Sequence, residues 1–226
     1  MLPFIIAGAV VVSGVVTYFV RKDGDKKKAS NRTPDCPSLG TLAIWGRPDV
    51  GKTTFMNFLL GNDHQCMKKE ATTHRREYSN TKVRAAGCEY LIKTITDMPG
   101  TMDRMDDWLD QVRQSDHVFY MLDASREDGR YVKQILHDLK ETVTVIREVK
   151  AGNQKKIHII VTHIDLSRFK DFDTSTVHNE LQQDDFFREI YESGEGVCGY
   201  VYVANLTDPS SCERLMTSIV GDCYGA

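Results

Sequence analysis

Gly46-Arg47-Pro48-Asp49-Val50-Gly51-Lys52-Thr53 decides how this chain is read, because it follows the apolar run Thr41-Leu42-Ala43-Ile44-Trp45 and precedes Thr54-Phe55-Met56-Asn57-Phe58-Leu59-Leu60. The spacing G-x-x-x-x-G-K-T suits a phosphate-binding loop. Its glycines let backbone N–H groups curl around a polyphosphate, Lys52 reaches the β and γ phosphates, and the Thr53 hydroxyl holds Mg²⁺. Phe55, Phe58 and Leu59 recur at helical spacing, so a helix is expected to start at the loop and aim its positive end at the phosphates. A chance glycine turn would lack this strand-loop-helix setting.

Working outward, two further motifs close strand-like runs. Asp97-Met98-Pro99-Gly100 ends Glu89–Thr96. A carboxylate there can hold Mg²⁺ through water, while the Gly100 amide approaches a γ-phosphate with no side chain in the way. Thr162-His163-Ile164-Asp165 ends the apolar run Ile157–Val161. The Asp165 carboxylate can accept hydrogen bonds from guanine N1 and N2, which adenine cannot donate, and so points to GTP over ATP. Taken singly, the first motif is also an ordinary turn and the second an ordinary strand end with a helix cap.

Strands are expected near 41–45, 78–85, 89–96, 117–122, 157–161 and 199–204, with helices between most of them. That alternation predicts an α/β fold with a mainly parallel central sheet covered on both faces. The stripe Val132, Ile135, Leu136 and Leu139, and the residues Phe186, Phe187 and Ile190, read as core.

The 226 residues, with 41% hydrophobic and 27% charged content, suffice for one substantial domain plus an appendage. A net charge of −3 gives no global reason to expect nucleic-acid binding. Six cysteines without C-x-x-C pairs or zinc-like spacing read as reduced thiols.

The appendage is N-terminal. Leu2 to Val20 is a run of 19 residues without charge. As a helix it would span about 28 Å at about 1.5 Å per residue, close to a bilayer's hydrocarbon thickness. No basic n-region or small-residue cleavage site marks a removable signal, so a retained transmembrane helix over 1–21 is expected. Arg21, Lys22, Lys26, Lys27 and Lys28 follow it, which predicts the N-terminus outside and the rest cytoplasmic by the positive-inside bias. Residues 22–39 read as a basic, turn-rich linker, and the domain proper is expected over 40–226.

With these motifs in place, residues 40–226 resemble P-loop GTPases of the translation-factor-related class, especially Era/TrmE-like and septin-like G domains. The resemblance rests on Gly46–Thr53, Asp97–Gly100, Thr162–Asp165, the weaker Val203-Ala204-Asn205-Leu206, and Gln114–Ala124 as the fourth strand. It implies a guanine nucleotide (GTP/GDP) and Mg²⁺ as ligands. Asp49, Val50, Gly51, Lys52, Thr53 and Thr54 would cradle the phosphates, and Thr162, His163, Asp165, Ala204 and Asn205 the base, with the Ala204 amide reading guanine. Thr73, in Ala71-Thr72-Thr73-His74-Arg75, would join Thr53 and Asp97 at the metal. Lys52, Thr73 and Gly100 would carry catalysis.

Three positions depart from the family pattern: His163 replaces a Lys, Asp49 stands where potassium-activated relatives have Asn, and Thr101 stands where Ras-like proteins have the water-positioning Gln. The first bears on base affinity and the second on potassium activation. The third leaves no catalytic side chain and implies slow hydrolysis, with a homodimer partner or an activating protein supplying the missing group. The expected function is a membrane-anchored, nucleotide-dependent switch that turns over GTP slowly. The alternative is a nucleotide-stabilised membrane receptor or scaffold with little or no turnover.

Overall fold

The computed structural model describes residues 36–62, 75–99, 105–149, 155–193 and 196–224. Its elements run β1 (Ser38–Gly46), α1 (Lys52–Leu59), β2 (Arg76–Ala85), β3 (Cys88–Asp97), α2 (Met105–Gln114), β4 (His117–Asp123), α3 (Gly129–Val149), β5 (Ile157–Thr162), α4 (Thr174–Gln183), α5 (Asp185–Ser193), β6 (Cys198–Val203) and α6 (Pro209–Tyr224). The six strands form one sheet ordered β2-β3-β1-β4-β5-β6. Every neighbouring pair is parallel except the antiparallel β2–β3 hairpin.

Strand composition explains the layering. All six residues of β5 are buried, the apolar Ile157, Ile159, Ile160 and Val161 together with His158 and Thr162, as a strand covered by helices on both faces requires. One face carries Trp45, Tyr120 and Ile159 against Trp108 and Val112 of α2, Ile135 and Leu139 of α3, Leu181 of α4 and Ile190 of α5. The other carries Leu42, Ile44, Phe119 and Ile160 against Phe55 and Leu59 of α1 and Leu215 and Ile219 of α6. Of the expected α3 stripe Ile135, Leu136 and Leu139 are buried and Val132 is half-buried, and Tyr131, Val143 and Ile146 extend the buried face.

β1 begins at Ser38, ahead of the expected domain start at Gly40. Leu39 is buried, and the Pro37 carbonyl accepts from Leu91 N at 2.8 Å, so the last residues assigned to the linker belong to the sheet. The apolar run 2–20 and the basic residues after it lie outside the described residues. Among the described residues no helix is long and apolar enough to cross a membrane.

Candidate functional site at the C-terminal sheet edge

Parallel register brings the motifs together. Ile44 of β1 lies beside Asp97 of β3, Gly46 beside Met121 of β4, Asp123 beside Thr162 of β5, and Val161 beside Val203 of β6. The loops after β1, β3, β5 and β6 therefore leave one edge of the sheet. In open α/β sheets ligands bind outside the carboxyl ends of the strands.

The phosphate loop has a conformation that few sequences adopt. Gly46 sits at φ 146°, and a Cβ there would stand 2.2 Å from the Met121 carbonyl oxygen, so no side chain fits between β1 and β4. Asp49 (φ 65°) and Gly51 (φ 89°) are both left-handed. Asp tolerates that region nearly as Asn does, which accounts for the substitution sterically. Gly51 is the N-cap of α1 and supplies no capping side chain, so the helix opens toward the loop as an anion-binding terminus requires. Thr53 and Thr54 are half-buried in that first turn.

Lys52 is folded back into the loop, its Nζ donating to the Gly46 carbonyl at 2.8 Å and the Arg47 carbonyl at 2.7 Å. Burial lowers its pKa to about 8, against the opposing pull of the Asp97 and Asp49 carboxylates. The ammonium is thus held where burial has already removed much of its water, beside two negative groups. Phosphate oxygens arriving there would restore favourable charge.

Asp97 is buried at the end of β3, and the strand's exit is pinned by Trp108 Nε1, which donates to the Pro99 carbonyl at 3.0 Å. Thr53 and Asp97 offer the hard oxygen donors that Mg²⁺ prefers, so the residues present fit that ion. Thr73 and Gly100 lie outside the described residues.

At the base end several of the expected groups carry bonds within the protein. The Thr162 hydroxyl is fully buried and shared between the carbonyls of Val50 (3.0 Å) and Leu122 (2.9 Å). It ties the phosphate loop to β4 and β5. His163 is left-handed (φ 55°), with Nδ1 3.0 Å from Thr162 Oγ1 and 3.6 Å from Asp123 Oδ1. Asp165 is exposed in the short 3-10 helix Ile164–Leu166.

The Ala204 amide, expected at the base, donates to the Val161 carbonyl at 2.9 Å, because the β5–β6 ladder continues one rung beyond β6. Asn205 N donates to Ser211 Oγ at 3.0 Å. Its side-chain oxygen accepts from Thr207 N and Oγ1, building the turn into α6.

Sequence reasoning passed over Arg47 and Asp138. Arg47 is almost wholly buried and ion-paired with the fully buried Asp138 of α3. Tyr120 donates to the other Asp138 oxygen at 2.9 Å. A signal was present: Asp138 falls four residues from both Gln134 and Thr142, on the inward side of an apolar helical stripe, where an acid needs a buried partner.

Similarity to known proteins agrees with this geometry. Residues 41–164 match the family described as 50S ribosome-binding GTPase. GTPase Era from Lacticaseibacillus paracasei is 27% identical over 160 residues, an alignment covering 67% of this chain and 48% of that protein. The chain thus spans about half the length of that relative. The solved structure of the Arl6 BBS3 small GTPase from Trypanosoma brucei, with the bound nucleotide analogue GppNp, is similar in fold at a TM-score of 0.60. It has 15% identity, with 83% of this chain and 98% of that one covered. With its phosphate loop, strand-ending Asp97 and Thr162–Asp165 on one sheet edge, the chain belongs to the 50S ribosome-binding GTPase family of GTP-binding G domains.

Proposed function

We propose that this protein is a membrane-anchored guanine-nucleotide switch that hydrolyses GTP slowly, with its G domain on the cytoplasmic side. The observation that carries the nucleotide reading is the shared sheet edge, where Lys52, Asp97 and Asp165 leave three different strands or their following loops within one site. Lys52 would reach the β and γ phosphate oxygens from its place against the two loop carbonyls. The α1 N-terminus would receive the same phosphates, and Asp165 would select guanine through N1 and N2. His163 would stack on the base, and Asn205 would border it. Thr53, Thr73 and Asp97 would hold Mg²⁺, which when bound neutralises charge on the β and γ phosphates. The Gly100 amide would sense the γ-phosphate.

Slow turnover follows from Thr101, which places no amide side chain after Gly100 to orient water. Positioning and electrostatics then act alone until a partner protein or second copy contributes a group. The anchor rests on the uncharged run 2–20 and the five basic residues that follow it.

Single-turnover assays on the full chain in detergent test the switch. Slow conversion of bound GTP to GDP, with different proteolysis patterns in the two states, is expected. Tight GTP retention without conversion would favour the scaffold reading. Carbonate-resistant membrane association, lost when 2–20 are deleted, is the expected result for the anchor.

A further inference from the structure

Arg47 occupies an unusual place in the phosphate loop. Its backbone carbonyl accepts from Lys52 Nζ at 2.7 Å, while its side chain leaves the loop for the interior. There Nη2 donates to the Gln134 carbonyl at 3.3 Å and pairs with Asp138. One residue thus stands between the phosphate-binding lysine and helix α3. Tyr120, on β4 beside the loop, fixes the second Asp138 oxygen and is itself wedged edge-on against Trp45, with ring centroids 4.9 Å apart.

Stability alone is a poor reason for such a pair. Burying a guanidinium and a carboxylate forfeits their hydration, and apolar residues of similar volume usually serve a core as well or better. Among the described residues Arg47 Nε has no hydrogen-bond partner, an added cost in a buried site. What an ion pair supplies and an apolar pair does not is direction: a planar fork fixes the angle at which its residue enters.

We propose that the buried Arg47–Asp138 pair, braced by Tyr120, is a positioning device that holds the Arg47 carbonyl where Lys52 is aimed at the phosphates, so that α3 sets the geometry of the phosphate loop. The inference rests on the nucleotide reading of this site and goes beyond it by assigning Asp138 and Tyr120, which face no ligand, a share in nucleotide affinity.

The double variant Arg47→Met with Asp138→Leu separates aim from stability. In the full chain in detergent, the thermal midpoint without nucleotide is measured beside the GDP and GTP dissociation constants. The expected result is a midpoint at or above the native one, with nucleotide affinity weaker by about tenfold. Tyr120→Phe, which deletes only one hydrogen bond to Asp138, should keep the midpoint and weaken binding by a smaller factor.

Native affinity in a folded double variant overturns the proposal. Should the double variant not fold, Arg47→Lys decides. Weakened binding at a kept midpoint supports the positioning role, whereas unchanged binding, or loss of folding here too, overturns it. A native chain that binds no guanine nucleotide would sink the site reading, and this inference with it; tight binding by native and double variant alike sinks the inference only.

Discussion

At the phosphate end of the site the loop is gripped from three directions: α3 holds Arg47, β5 holds the Val50 carbonyl through Thr162, and Lys52 of α1 holds the carbonyls of Gly46 and Arg47. At the base end Asp165 stands exposed on a three-residue 3-10 turn, and the nearby Ala204 and Asn205 amides are occupied within the protein. One end is built before the ligand arrives; the other offers one carboxylate and the His163 ring. Affinity should therefore reside in the phosphate loop, and base choice in very few groups. Preorganised donors avoid an ordering cost that an exposed turn must meet on binding.

The contrast breaks most directly at Lys52. Hydrogen bonds to charged groups contribute about 1.5–3 kcal/mol, so Lys52→Ala should weaken GTP and GDP binding by up to about a hundredfold. Equilibrium titration with a fluorescent nucleotide checks this, and an unchanged affinity would contradict the phosphate-loop reading. At the other end, Asp165→Ala should reduce the preference for GTP over ATP by about tenfold or more, because a site built around a donor pair loses its discrimination with its acceptor. Competition between the two nucleotides measures it.

Thr162→Val sharpens the comparison in another way. It leaves the buried Val50 and Leu122 carbonyls without their shared hydroxyl, at a cost of about 1–3 kcal/mol in chemical denaturation. Guanine preference should change little, since this hydroxyl is spent on the Val50 and Leu122 carbonyls.

The smallest effect is a split with pH. Lys52 has its folded pKa lowered to about 8 by burial, below the unfolded value of about 10.4. Between these values the unfolded chain binds more protons, so the Lys52 contribution to stability rises with pH. Over the same window phosphate affinity should fall as the ammonium is lost. Opposite slopes, both flattened in Lys52→Met, are the expected outcome of paired melting and binding measurements.

The same contrast explains what the amino-acid order alone revealed. Strand positions, the helix after Gly51 and the common sheet edge were legible because buried parallel strands are nearly continuous apolar runs and phosphate loops need glycine at fixed places. Roles that depend on a third dimension were not. The bonds of the Thr162 hydroxyl to the Val50 and Leu122 carbonyls, and of the Ala204 amide to the Val161 carbonyl, become visible only once the strands are placed side by side. Arg47 finds Asp138 across 91 positions of sequence, a pairing that no local pattern announces. The extra strand residues from Ser38 were hidden by turn formers such as Pro37 and Ser38, which β3 nonetheless holds in place.

Calorimetric titration of the full chain with GTP, GDP and ATP in the presence of Mg²⁺, for the native protein and Asp165→Ala, tests the central claim most directly. Guanine-selective binding in the native chain, and loss of that selectivity with phosphate-driven binding retained in the variant, are the expected results. Equal affinity for ATP and GTP in the native chain, or no binding of either, would contradict that claim.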